Sequence, residues 1–135
     1  DKITVLLVNN TIYAMTGGQM APTTMPGQKT ETTPYGRDVG VAGYPMMGPE
    51  MVSAITQEGA YVARGSVARF RKLKQYIKNA LQNQIDERGF SFVEALSTCP
   101  TNWRTNAEKT WAFLEEQMTD QYPPGEFKTP QGKEG

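Results

Sequence analysis

Apolar and polar positions follow different rhythms along this chain. Residues 3–8 read Ile-Thr-Val-Leu-Leu-Val, a β-branched run with only Thr4 to interrupt it. A strand with one wet face would alternate, so this run predicts a strand buried inside a parallel sheet. Parallel strands need neighbours and crossover connections. None precedes this one, so its partners come later in the chain or something upstream is missing. Residues 9–48 carry no clear period and are rich in Gly, Thr, Pro, Gln and Met. A loop of that length is functional or disordered; few charges, several Met, and Tyr13, Tyr35 and Tyr44 weigh against disorder.

Helical spacing begins at Gly48-Pro49, with proline at a suitable first position. Met51, Val52, Ala54 and Ile55 supply an apolar face and Gly59 a stop. Residues 60–63 suit a short strand. Ser66 can cap a long helix that carries Phe70, Leu73, Ile77, Leu81 and Ile85 on one side and stops by Gly89. Residues 90–96 read as a strand with aromatic and β-branched content. A last helix is expected over residues 106–118, with a loose polar tail after Pro123. This alternation predicts an α/β fold, a mainly parallel sheet with flanking helices joined by right-handed crossovers.

Composition narrows the chemistry. The chain has 135 residues, 38% of them hydrophobic, enough for one modest domain. Fourteen basic side chains balance fourteen acidic ones, so the overall field favours neither nucleic acid nor membrane as a partner. No apolar run reaches membrane-spanning length and no signal peptide is visible. One cysteine, Cys99, excludes an internal disulfide and points to a cytoplasmic setting. Histidine is absent, which removes the commonest general base and metal ligand. Chemistry must then rest on a cofactor, a carboxylate or another chain. Arg64, Arg69, Arg71, Lys72, Lys74 and Lys78 form a basic strip. It suits either an acidic partner or, more simply, the solvated back of a helix. Trp103 and Trp111 read as core or interface residues.

Ligands of open α/β sheets gather at the carboxyl ends of strands. The first strand runs directly into Asn9-Asn10-Thr11-Ile12-Tyr13-Ala14-Met15-Thr16-Gly17-Gly18-Gln19. An Asn side-chain oxygen and a loop carbonyl are hard ligands suited to Mg²⁺. Thr16, Gly17 and Gly18 offer a hydroxyl and backbone N–H groups for phosphate oxygens. Asn-Asn and Gly-Gly equally suit plain turns.

This loop, continued through Pro22-Thr23-Thr24, resembles the metal-binding loop of the thiamine-diphosphate subunit of 2-oxoacid:ferredoxin oxidoreductases. Thr32-Thr33-Pro34-Tyr35-Gly36-Arg37 and Ser97-Thr98-Cys99-Pro100-Thr101-Asn102-Trp103 fit the same family in the same order. The resemblance implies that residues 1–127 are the C-terminal portion of a thiamine-diphosphate-binding domain, a partial fold of that type, with residues 128–135 a flexible tail. It implies thiamine diphosphate held through Mg²⁺, with Asn10 the side-chain ligand and Ile12 the carbonyl ligand. The family's Gly-Asp-Gly triplet, source of a further ligand, does not occur in this sequence. Met15 stands where pyruvate-specific relatives tend to carry Asn. This leans the expectation toward 2-ketoisovalerate-like or 2-oxoglutarate substrates, unless Met15 packs beneath the cofactor.

Cys99 matches the fourth ligand of the family's [4Fe–4S] cluster; one cysteine cannot hold a cluster, so the cluster is expected in the intact subunit alone. The implied reaction is oxidative decarboxylation of a 2-oxoacid with coenzyme A, reducing ferredoxin, within a hetero-oligomer of several subunits. No residue here is nominated as catalytic, because in such enzymes the activating Glu usually comes from a partner chain. The fragment alone is expected to be inactive. Two alternatives are a non-oxidative thiamine enzyme and a non-catalytic partner-docking module.

Overall fold

The computed structural model describes residues 2–103 and 105–130, the Asn102 side chain excepted. Among the described residues there are six strands: β1 (Thr4–Asn9), β2 (Ile12–Tyr13), β3 (Gln19–Met20), β4 (Tyr61–Ser66), β5 (Ser91–Leu96) and β6 (Gly125–Lys128). The helices are α1 (Val39–Ala42), α2 (Gly48–Ile55), α3 (Phe70–Ile85), α4 (Pro100–Trp103), α5 (Ala107–Ala112) and α6 (Thr119–Gln121). A π-helical turn over Phe113–Met118 links the last two.

The main sheet has the order β1-β5-β4-β6. β1, β5 and β4 are parallel, and β6 returns antiparallel along β4. The fold is therefore α/β with a mostly parallel sheet, and the partner of β1 comes later in the chain as β5. The register puts Leu7, Glu94 and Arg64 on one level. Asn9, Leu96 and Ser66 share the next level on the same face, at the carboxyl edge.

Two apolar clusters hold the layers. On one face Tyr61, Ala63, Val93 and Ala95 pack beneath Leu73 and Ala80 of α3. The approach is close: a Cβ on Gly65 would meet Leu73 Cδ1 at 2.9 Å. On the other, Leu96 meets Leu114, Met118 and Tyr122 from the C-terminal helices and Met25 from the long loop. Asn106 caps α5 by accepting from the Lys109 N–H, and Ser66 accepts from the Ala68 N–H at the turn that leads into α3.

Several expectations are corrected. The buried face of α3 is Leu73, Ala80 and Asn83. Phe70, Leu81 and Ile85 point outward, because at about 3.6 residues per turn they lie on a different face of the helix from Leu73, Ala80 and Asn83. It stops at Asp86, before Gly89, and α2 stops at Thr56, before Gly59. Arg64 does not belong to the solvated basic strip; it is fully buried, while Arg69, Arg71, Lys72, Lys74 and Lys78 are exposed as expected. The segment after Pro123 is not loose throughout, since residues 125–128 form β6 and Lys128 Nζ donates to the Ser53 and Thr56 carbonyls. Residues 131–135 of the expected tail lie outside the described residues.

Candidate functional site

The carboxyl edge of the sheet is where the chain stops following apolar burial and begins to satisfy polar atoms one by one. β1 ends at Asn9, which is buried. Its Nδ2 donates to Glu94 Oε1 at 2.6 Å. Its Oδ1 accepts from the Thr11 N–H at 2.9 Å and the Thr23 hydroxyl at 2.8 Å. The Asn9 carbonyl accepts from the Ser97 N–H at 2.8 Å, so the turn after β5 is tied to the turn after β1.

Thr11 has φ 65°, a left-handed conformation that is an outlier for a β-branched residue. Every polar atom of this buried residue is engaged. Besides its N–H, its carbonyl accepts from Thr24 Oγ1 at 2.6 Å and its hydroxyl from Gln28 Nε2 at 2.8 Å. The kinked Thr11 separates Asn10 from Ile12. Asn10 Oδ1 accepts from the Ile12 N–H at 3.3 Å, and the Asn10 carbonyl accepts from the Trp103 indole at 3.1 Å. Trp103 rests on Phe113, with ring centroids 4.8 Å apart.

β2 and β3 form a small antiparallel hairpin. Gly17 and Gly18 N–H groups donate to the Ala14 and Tyr13 carbonyls at 3.3 and 2.9 Å. The Thr16 hydroxyl donates to Gln19 Oε1 at 2.6 Å. All three expected phosphate-facing groups are thus engaged within the hairpin here. Met15 stands at its tip, 99% exposed. Below the hairpin, a cleft of about 230 Å³ is lined by residues that include Val8, Asn9, Asn10, Ile12, Pro22 and Met46. That is less than the roughly 300–1,000 Å³ of a whole small-molecule site.

Cys99 is buried at the end of the turn that leaves β5, and its carbonyl accepts from the Trp103 N–H at 2.9 Å. The structure therefore brings Cys99 to the same sheet edge as Asn10, with Trp103 spanning the two turns. Among the described residues no group of three or more His, Cys, Asp or Glu is placed to hold a metal ion.

Two buried arginines organise the surroundings. Arg37 donates to six loop carbonyls, those of Ala21, Pro22, Thr24, Ala42, Gly43 and Tyr44, at 2.8–3.3 Å. Arg64 lies between the Tyr122 and Phe127 rings, 5.2 and 5.1 Å from their centroids. It donates to both Glu50 oxygens at 2.8 Å and, through Nε, to Glu94 Oε2 at 3.1 Å. Burial, with the Glu94 charge adding to it, pushes the Tyr122 phenol up. Its hydroxyl donates to the Thr23 carbonyl at 2.6 Å.

Sequence reasoning did not single out Asn9, Thr11, Arg37, Arg64 or Glu94 for the site. A signal existed for the last two: each is a lone charge of opposite sign inside an apolar strand.

The family model described as "Thiamine pyrophosphate enzyme, C-terminal TPP binding domain" matches residues 1–95. The chain belongs to the thiamine pyrophosphate enzyme family. Within that family, the ketoisovalerate oxidoreductase subunit VorA of Methanothermobacter thermautotrophicus is 46% identical over 131 residues, covering 95% of this chain and 27% of VorA. The 2-oxoglutarate synthase subunit KorB of the same organism is 43% identical, over 73% of this chain and 31% of KorB. A solved 2-oxoglutarate:ferredoxin oxidoreductase from Magnetococcus marinus, with 2-oxoglutarate, coenzyme A and succinyl-CoA bound, superposes with a TM-score of 0.61 at 29% identity. That match covers 81% of this chain and 33% of the other. The chain thus spans about a quarter to a third of the length of these thiamine-enzyme relatives. Among the described residues no helix is long and apolar enough to cross a membrane.

Proposed function

We propose that residues 1–127 are the C-terminal portion of the thiamine-diphosphate-binding domain in a 2-oxoacid:ferredoxin oxidoreductase. The observation that carries this reading is the meeting of two turns at one sheet edge. The Asn10–Ile12 turn follows β1 and the Cys99 turn follows the adjacent β5, in a chain 46% identical to VorA.

The donors present fit Mg²⁺. Asn10 Oδ1 is a hard amide oxygen with a single long internal hydrogen bond, of 3.3 Å. Opposite Ile12 in the hairpin, the Met20 N–H donates to the Thr32 hydroxyl. In the proposal Asn10 and Ile12 are two of about six oxygen ligands. The others come from the diphosphate, water and an acidic residue outside this sequence. Thr16, Gly17 and Gly18 border the diphosphate, and Met15 projects toward the substrate or a neighbouring subunit. Thiamine diphosphate, when bound, supplies the electron sink for decarboxylation. Cys99 would supply the fourth thiolate of an iron–sulfur cluster whose other ligands lie outside this chain, a group whose chemistry is electron transfer.

What these residues do themselves is bind and orient. The Thr11 kink separates the two metal ligands, Trp103 holds the Asn10 backbone, and the buried carboxyl edge keeps water from the turn's far side. The chain is inactive alone and completes its site against other chains of a cytoplasmic hetero-oligomer. The similarity to VorA favours a branched-chain 2-oxoacid such as 2-ketoisovalerate, with 2-oxoglutarate second.

The test is coenzyme A-dependent reduction of ferredoxin by the intact complex, with 2-ketoisovalerate, 2-oxoglutarate and pyruvate compared. Fastest turnover with 2-ketoisovalerate is expected. No coenzyme A-dependent reduction with any 2-oxoacid would sink the reading.

A further inference from the structure

Glu94 sits in the middle of β5 and is 1% exposed, a place where a carboxylate is costly. Neutralising Arg64 does not account for it, because Glu50 already holds that guanidinium with two oxygens at 2.8 Å. Nor does stability, since buried ion pairs are often no better than apolar packing. What Glu94 does uniquely is face Asn9. A carboxylate only accepts, so Glu94 Oε1, at 2.6 Å from Asn9 Nδ2, permits one orientation of the Asn9 amide. The NH₂ group turns inward and the oxygen outward.

That outward oxygen is what the turn needs. It accepts from the Thr11 N–H and the Thr23 hydroxyl. Thr11, at φ 65°, is the strained residue between the two proposed Mg²⁺ ligands. Strain of this kind persists where the surroundings over-determine it. One of the three atoms that hold Thr11 is tied to Asn9, and the orientation of Asn9 is set by Glu94. A reversed amide would point NH₂ at the Thr11 N–H and oxygen at the carboxylate, two repulsions at once.

We propose that Glu94 is a positioning residue for cofactor binding: by fixing the Asn9 amide it holds Asn10 and Ile12 in the geometry that grips Mg²⁺ and the diphosphate. The inference rests on the proposed metal-binding role of Asn10. Supporting groups of this sort behind metal ligands are worth about 10–100-fold in metal affinity.

The test uses the full-length subunit, with thiamine diphosphate and Mg²⁺ titrated calorimetrically and each variant's melting temperature recorded. Glu94→Gln leaves one oxygen for two donors, and Asn9→Asp sets carboxylate against carboxylate. Each single change is expected to weaken Mg²⁺-dependent affinity about 10–100-fold. In the Asn9→Asp/Glu94→Gln pair, donor and acceptor are exchanged. The introduced amide donates to the introduced carboxylate, its oxygen still accepts from Arg64, and the oxygens toward Thr11 and Thr23 are restored. Recovery of most of the lost affinity is expected in the pair. Wild-type affinity in both single variants, or a pair no better than the worse single, overturns the proposal. Should the single variants fail to fold, the pair decides alone: near-wild-type affinity supports the proposal and a large loss overturns it. Asn10→Ala runs alongside. Unchanged affinity there removes the metal-site reading itself, whereas loss there with insensitive Asn9 and Glu94 variants removes only the positioning role.

Discussion

Arg37 and Arg64 are both buried cations, and the regions around them are built differently. Arg37 faces six backbone carbonyls from residues 21–44. Arg64 faces two carboxylates, two aromatic rings and the Pro123 carbonyl. The sheet has its own apolar core on both faces, so its shape does not depend on Arg64. The loop contributes Met25 to a shared cluster, is tied to the turn after β1 through Thr23, Thr24 and Gln28, and gathers around one guanidinium. At Gly36, Cβ would lie 2.6 Å from the Gly27 carbonyl, so a second loop strand passes too close for any side chain. A buried charge can serve as the core of a loop in one place and, in the role proposed for Glu94 beside Arg64, as an aiming device in another.

Removing the charge separates the two uses. Arg64→Met leaves Glu94 buried without its cation and should cost about 3–5 kcal/mol in urea unfolding. Adding Glu94→Leu should return most of that stability while leaving cofactor affinity low. If affinity returned with stability, Glu94 would be structural only. Arg37→Ala should cost somewhat less globally, about 2–4 kcal/mol. It should, however, raise amide hydrogen exchange across residues 21–44 far more than in β4 or β5. Arg37→Lys lacks the planar fork and should recover only part of the protection. Uniform loss of protection in loop and sheet would erase the contrast between the regions.

Tyr122 joins them, since its ring lies beside Arg64 and its hydroxyl donates to Thr23. Tyr122→Phe should cost about 1 kcal/mol near neutral pH. Burial raises the phenol pKa in the folded protein, while the unfolded phenol ionises near about 10. Above that pH the unfolded state therefore binds fewer protons than the folded one, and stability falls as pH rises. Each such group contributes a slope of up to about 1.4 kcal/mol per pH unit. Below that pH Tyr122 contributes no slope. In Tyr122→Phe the alkaline decline should be shallower; an unchanged profile between pH 10 and 12 would remove Tyr122 from this account.

Periodicity made the parallel half of the fold legible. Residues 3–8 form an apolar run broken by Thr4 alone, residues 90–96 carry aromatic and β-branched residues around Ser91 and Glu94, and both are parallel strands. Yet β5 is buried throughout while β1 exposes Leu6 and Val8. No strand pairs with the outer edge of β1 among the described residues. The span of α3 was legible and its facing was not, because hydropathy weights Phe70, Leu81 and Ile85 above the small Ala80 and the buried polar Asn83. Asn83 donates to the Gly59 carbonyl and Ser91 hydroxyl, contacts that only the assembled sheet provides. β6 was hidden by its polar sequence, which suffices for an antiparallel edge strand.

The site divided in the same way. Asn10 and Cys99 were visible as motifs at the ends of apolar runs. Their support was not, because Thr11, Thr24, Gln28 and Arg37 act through hydrogen bonds between residues up to 17 apart, with no period. The pairing of Arg64 with Glu94 becomes visible only once the β4–β5 register is known.

In the proposed function the turn after β1 holds the metal that anchors the cofactor. Calorimetric titration of the full-length Asn10→Ala subunit with thiamine diphosphate, with and without Mg²⁺, tests it most directly. A loss of at least about 100-fold in Mg²⁺-dependent affinity is expected, larger than for a supporting residue, with little change in melting temperature of the cofactor-free protein. Affinity equal to that of the wild type at every Mg²⁺ concentration would contradict it.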